Sequence, residues 1–230
     1  MDTASRDLLL RGEYVSNYNN KIFGMSKNFD PRTTVLLIFI SAAASLRVAF
    51  NFSYDISPLA NFSPLGGMAI FGGAYFNRKW KAFAFPLLML FISDLILHQT
   101  VFKKYGNGYL YNGWYWVYGS FALMTIVGMR VLKKITINRF ILSVLACVFI
   151  HWIITDLGVW IGSKIYAQNF NGFVTCLQKA IPYEWRFLAG TLAYGVILFG
   201  LFEWINRKYP ALQIAEELRC IESNDSFGKE

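Results

Sequence analysis

The sequence predicts an all-α, polytopic membrane protein of six transmembrane helices, with both termini on the cytoplasmic side. Three observations carry this. Of 230 residues, 55% are hydrophobic, 18% aromatic and only 16% charged, whereas an average soluble domain carries about 25% charge. The apolar residues fall into six blocks. The basic residues fall mainly between alternate blocks.

A hydrocarbon core about 30 Å thick is crossed by about 20 apolar helical residues. Segment one is 34–52, TVLLIFISAAASLRVAFNF. Segment two is 64–76, PLGGMAIFGGAYF, short and glycine-rich. Segment three is 82–97, AFAFPLLMLFISDLIL. Segments four, five and six are 114–132, 140–161 and 187–205. Segments two and three are short for a crossing, so they extend into their flanks or lie among the other helices. A soluble bundle would show polar faces at a period of about 3.6 residues. Segments one, four, five and six show almost none.

Charge placement is an independent test, because cytoplasmic loops carry the excess of Lys and Arg. Sixteen of the 22 basic residues lie in the N-terminal tail, the loops after segments two and four, and the C-terminal tail. The three opposite loops hold five: Lys103, Lys104, Lys164, Lys179 and Arg186. Arg47 lies inside segment one. The net charge of +8 is therefore a topology signature and not a nucleic-acid footprint. Three irregularly spaced cysteines exclude a disulfide scaffold, and no CxxC pair or histidine cluster offers a metal site.

The domain organisation follows: a cytoplasmic tail over 1–33, a six-helix domain over 34–206, and a cytoplasmic tail over 207–230. Asp30-Pro31 reads as a helix start. The run Leu8–Leu10 is too short for a signal peptide. A weak internal echo links Ser93-Asp94-Leu95 with Thr155-Asp156-Leu157, consistent with repeated hairpins or with chance.

Ionisable residues inside a membrane are costly and face the protein interior or a cavity. They are Arg47, Asp94, His151, Asp156 and Glu203. The topology places the first four in the outer half. Arg47 between two carboxylates is charge-compensated, so these three are the leading candidates for orienting a solute. His98 follows Asp94 by four residues and shares its helix face. Snorkelling and loop capping are the structural alternatives. Glu203 with Arg207 one turn on reads as an interfacial ion pair.

The outer loops add polar and aromatic groups. Loop one carries Asn61 between prolines. Loop two is dense in Tyr and Trp, from Tyr109 through Trp114 to Tyr118. An interfacial aromatic belt accounts for part of this; stacking on a flat organic solute is the functional alternative. Asn61, Trp114 and His151 are second-rank contacts. Residues 162–186 read as a third loop with room for a short amphipathic helix before Pro182. Small residues in segments one, two and six, such as Gly66, Gly67, Gly72 and Gly73, mark close helix packing.

The stretch NFSPLGGMAIFGGAYF at 61–76, with the later SDL and TDLGVW, resembles a group of uncharacterised bacterial membrane proteins over about residues 34–206. Six helices, both termini inside, a short glycine-rich second helix and an outward polar pocket are similar to the substrate-binding S components of energy-coupling factor vitamin transporters. That resemblance implies capture of a vitamin or related heterocyclic micronutrient from the outer side of the bacterial inner membrane. It also implies docking of a transmembrane coupling subunit with ATPases on a small-residue face of helix one. The matching positions are Ser41 and Ser45, where the family often has alanine. No cofactor is expected.

The sequence has no GxxxxGK[ST] phosphate loop, so ATP hydrolysis by that route is not expected of it. Two other classes stay open. One is a membrane scaffold or assembly factor without transport. The other is an intramembrane serine hydrolase using Ser120 and His151, although Tyr118 and Phe121 replace the glycines of the GxSG pattern.

Overall fold

The computed structural model describes residues 31–52, 62–76, 78–101 and 110–209. The described residues form six helices and no strand. They are α1 (Pro31–Phe52), α2 (Leu65–Tyr75), α3 (Lys79–Thr100), α4 (Trp114–Val131), α5 (Ile137–Gly162) and α6 (Phe170–Lys208). Four of them, α1, α3, α5 and α6, are long and apolar enough to cross a membrane.

Local chemistry sets the helix ends. Pro31 opens α1, where its missing N–H costs nothing. Gly113 precedes α4 with φ 82°, a left-handed conformation that favours glycine. Thr136 caps α5 by accepting from the Arg139 N–H at 3.4 Å. Asn169 caps α6 by accepting from the Gly172 N–H at 2.9 Å.

The short helix is the hub. α2 packs against all five other helices, and every residue from Leu65 to Tyr75 except Ala74 is buried. A helix apolar on every side belongs in an interior, which explains why segment two is too short to span yet wholly hydrophobic. Its glycines let backbones meet. A Cβ on Gly73 would stand 2.3 Å from the Thr125 carbonyl oxygen of α4, and one on Gly128 would stand 2.5 Å from that of Ile70. Gly72 makes room for the Pro86 ring of α3. Phe71, at the centre, meets the rings of Phe39, Tyr75, Phe199 and Phe202.

Gly73→Ala is therefore expected to lower stability by about 1–3 kcal/mol through overpacking. Gly119, with nothing within 4 Å of its would-be Cβ, supplies the control. Gly119→Ala is expected to be neutral or slightly stabilising, since Ala favours helix over Gly by about 1 kcal/mol. Thermal unfolding in detergent compares the two.

Two expectations are corrected. Residues 170–186 are not a loop: α6 is continuous for 39 residues, with Pro182 inside it. Pro182 removes the hydrogen bond to the carbonyl of residue 178, but both residues are on the exposed side. The inward side holds Gly172, Cys176, Ala180, Glu184 and Phe187, spaced at helical period against α5. Glu203 accepts a 2.5 Å hydrogen bond from the Tyr75 hydroxyl; among the described residues it forms no ion pair with Arg207. At this same basic end, Lys81 donates to Thr33 Oγ1 at 3.4 Å and Arg32 lies over the Phe202 ring.

Candidate functional site

The end of the bundle opposite the basic end is shaped by where α2 begins. Its first turn touches α6 at Phe187 and Thr191. From Phe187, α6 runs on to Phe170, about 25 Å of further helix. From the contact of Gly128 with Ile70, α4 rises to Trp114, about 21 Å, whereas α2 rises only about 8 Å to Leu65. The residues leading into α2 lie on the side of α6. Ser63 packs its backbone at Gly190, and Phe62 sets its ring 5.6 Å from Tyr194. In this half the outer helices have no described helix between them, and two polar clusters lie there.

The first cluster joins α1, α3 and α4. Arg47 Nη2 lies 2.6 Å from Asp94 Oδ1, and Arg47 Nη1 donates to Ser93 Oγ at 2.6 Å. The Tyr118 hydroxyl donates to Asp94 Oδ2 at 3.1 Å. Both carboxylate oxygens of Asp94 are thus engaged, and the pair is neutral and closed. Tyr111 lies in the field of the same pair; burial first, then the Asp94 charge, raises its phenol above the ordinary value, with Arg47 opposing. Trp114 is 42% exposed and meets the cluster only through an edge contact with the Tyr118 ring at 5.2 Å. One turn beyond Asp94, His98 is buried, and neither ring nitrogen has a hydrogen-bond partner among the described residues.

The second cluster joins α5 and α6. His151 Nδ1 lies 2.8 Å from Glu184 Oε1, and the His151 ring stacks on Phe187 at 4.1 Å. Phe187 in turn reaches Gly66 at the start of α2. Asp156 lies within electrostatic reach of Glu184 and His151. Neighbouring bonds hold its backbone. Cys176 Sγ donates to the Asp156 carbonyl at 3.7 Å, and Trp152 Nε1 donates to the Leu177 carbonyl at 3.0 Å.

The expected trio of Arg47, Asp94 and Asp156 is therefore divided. Arg47 and Asp94 meet; Asp156 belongs with His151 and with Glu184. Glu184 was missed because its stretch read as a loop, although the small-residue spacing of Gly172, Cys176 and Ala180 pointed to its face. Asn61, Tyr109 and Cys220 lie outside the described residues. The Asp94–Asp156 echo reaches local structure. Ser93 donates to the Leu90 carbonyl and Thr155 to the His151 carbonyl, each along its own helix beside a buried aspartate. Ser120 donates to the Val117 carbonyl at 2.8 Å and is not brought within hydrogen-bond distance of His151. Among the described residues no group of three His, Cys, Asp or Glu is placed to hold a metal ion.

Long apolar helices around buried ionisable side chains define a helical membrane protein. A family model described as a family of unknown function, DUF6580, matches residues 27–212, and the chain belongs to that family. No curated protein and no solved structure matches it.

Proposed function

We propose that this protein captures a small solute at the end of the bundle opposite its basic loops and takes part in its uptake. In this reading the basic end faces the bacterial cytoplasm, all six helices lie in the inner membrane, and α2 is enclosed by the other five. The observation that carries the proposal is the polar lining above the start of α2. There His98, Asp156 and Glu184 hold buried polar atoms without partners among the described residues, and the stacked rings of His151 and Phe187 lie beside Glu184. Buried polar groups in native proteins are nearly always satisfied, so unsatisfied ones gathered at one end mark a place where something binds. The resemblance to vitamin-binding S components points to a heterocyclic micronutrient.

Arg47 and Asp94 support this site as a wall. Their mutual bonds fix α1 against α3 and hold Tyr118 toward the same end. A coupling subunit docking on α1 would meet Ala42 and Ser45, which are exposed, while Ser41 donates its hydroxyl to Met89 Sδ at 3.7 Å. The closed Arg47–Asp94 pair is the observation that favours the second reading, a scaffold without a solute.

Purification from native membranes in mild detergent, followed by mass spectrometry of bound small molecules, tests the proposal. The wild type is expected to carry one compound in stoichiometric amount, and the folded Asp156→Asn and Glu184→Gln variants to lose it. A folded wild type that stays empty when challenged with its host's small-molecule extract would move the assignment to the scaffold.

A further inference from the structure

The charge balance between α5 and α6 is incomplete. Asp156 and Glu184 bring two carboxylates, and His151 brings at most one positive charge. The basic residues of the same stretch do not supply the difference. Among the described residues neither Lys179 nor Arg186 forms an ion pair with the cluster, and Arg186 lies over the Tyr183 ring at 5.8 Å. The Cys176 thiol donates to the Asp156 backbone carbonyl and not to its carboxylate. From α4, the uncharged Trp116 ring packs at Gly158, two residues past Asp156. Arg47 is bonded to Asp94 on another face of the bundle.

The exposure of Asp156 is 9% and that of Glu184 is 7%. One oxygen on each, Asp156 Oδ2 and Glu184 Oε2, is buried with no hydrogen-bond partner among the described residues. An unpaired carboxylate charge away from water is strongly disfavoured, and Asp, Glu and His inside membrane segments recur in proton pathways. We propose that His151, Glu184 and Asp156 form a proton-binding site, in which one acid of the Asp156/Glu184 pair carries an exchangeable proton.

On binding, a hydronium ion gives up its proton and leaves as water, and a carboxylate becomes a neutral carboxylic acid. Release reverses this, and no other reactant takes part. The His151–Glu184 hydrogen bond positions the second acid while the first is neutral. Used in uptake, the site gives a chain without a phosphate loop an ion gradient to draw on. That use rests on the proposed solute capture; proton binding itself does not.

Difference infrared spectroscopy of the full chain in lipid nanodiscs tests proton binding without any solute. On a step from mildly acidic to mildly alkaline pH, the wild type is expected to lose the carbonyl band of a buried neutral carboxylic acid. Asp156→Asn and Glu184→Gln are each expected to remove or displace that band, and Glu203→Gln to leave it. Monodisperse elution and unchanged helical content qualify each variant. Where an amide variant does not fold, Asp156→Glu, which keeps the carboxyl on a longer stem, must displace the band. A wild type with no such band at any pH, or a band unchanged by every substitution at 156 and 184, would overturn the site. Absence of the band with a bound solute retained removes the proton and leaves the capture; the opposite result removes the capture alone.

Discussion

Arg47→Ala is expected to be among the most destabilising single substitutions in the protein. The Asp94 side chain is 2% exposed and that of Arg47 14%. Removing the guanidinium leaves a buried carboxylate with no cation beside it and only the hydroxyls of Tyr118 and Tyr111 to face it, a change that costs about 3–5 kcal/mol when one partner of a buried pair is lost. It also frees Ser93 Oγ from its 2.6 Å bond and unties α1 from α3 beyond Ser93. The double variant Arg47→Met/Asp94→Leu removes both charges and keeps apolar volume, so it is expected to recover most of the loss. Chemical unfolding in mixed micelles gives the comparison. If Arg47→Ala unfolds at the wild-type midpoint, the pair is not what holds α1 to α3. Its arginine would then be available to a solute.

Phe71→Ala is the second. Phe71 is fully buried and meets two rings of α6, one of α1 and one of its own helix. In lipid, helices associate by packing and not by release of water, so the loss falls on contacts that nothing else replaces. An aromatic deleted from a core costs about 3–5 kcal/mol, and here the cavity opens between α1, α2 and α6 at once. The midpoint is expected to fall further for Phe71→Ala than for Phe71→Leu, which keeps most of the volume. Equal midpoints for the alanine variant and wild type would show that α2 is not the centre of the packing.

The two variants probe different parts of what the sequence revealed. The apolar blocks were legible because a membrane core demands long runs of one character, and α1, α3 and α5 fall where those runs fall. The glycines of α2 were legible as packing residues because small side chains have little other use in an apolar helix. Their counterparts were not. That Gly73 faces Thr125, and Gly128 faces Ile70, depends on how two helices cross. The 170–186 stretch was misread because Pro182 and a lower local hydropathy look like a loop. The helix survives there because α5 covers its inner stripe and the proline lies outside.

Of the six residues nominated for the site, Arg47, Asp94, His151 and Asp156 are the ionisable ones. The cost of charge in a membrane made them visible, and in the structure they lie toward the end of the bundle opposite the basic loops. Trp114 touches only the rim of its cluster, and Asn61 is outside the described residues. Partners are another matter. One sequence read along its length has no information on which acid meets which base when the candidates are 33, 47 or 109 positions apart.

The sequence alone thus determined a helical membrane chain, its glycine-rich inner helix and its short stock of interior charges, because these are set by composition and local period. Only the tertiary structure decided that Arg47 is closed by Asp94 while Asp156 and Glu184 are left with unpaired oxygens. Charge pairing is a property of distance in the folded bundle, and neighbouring helices set that distance.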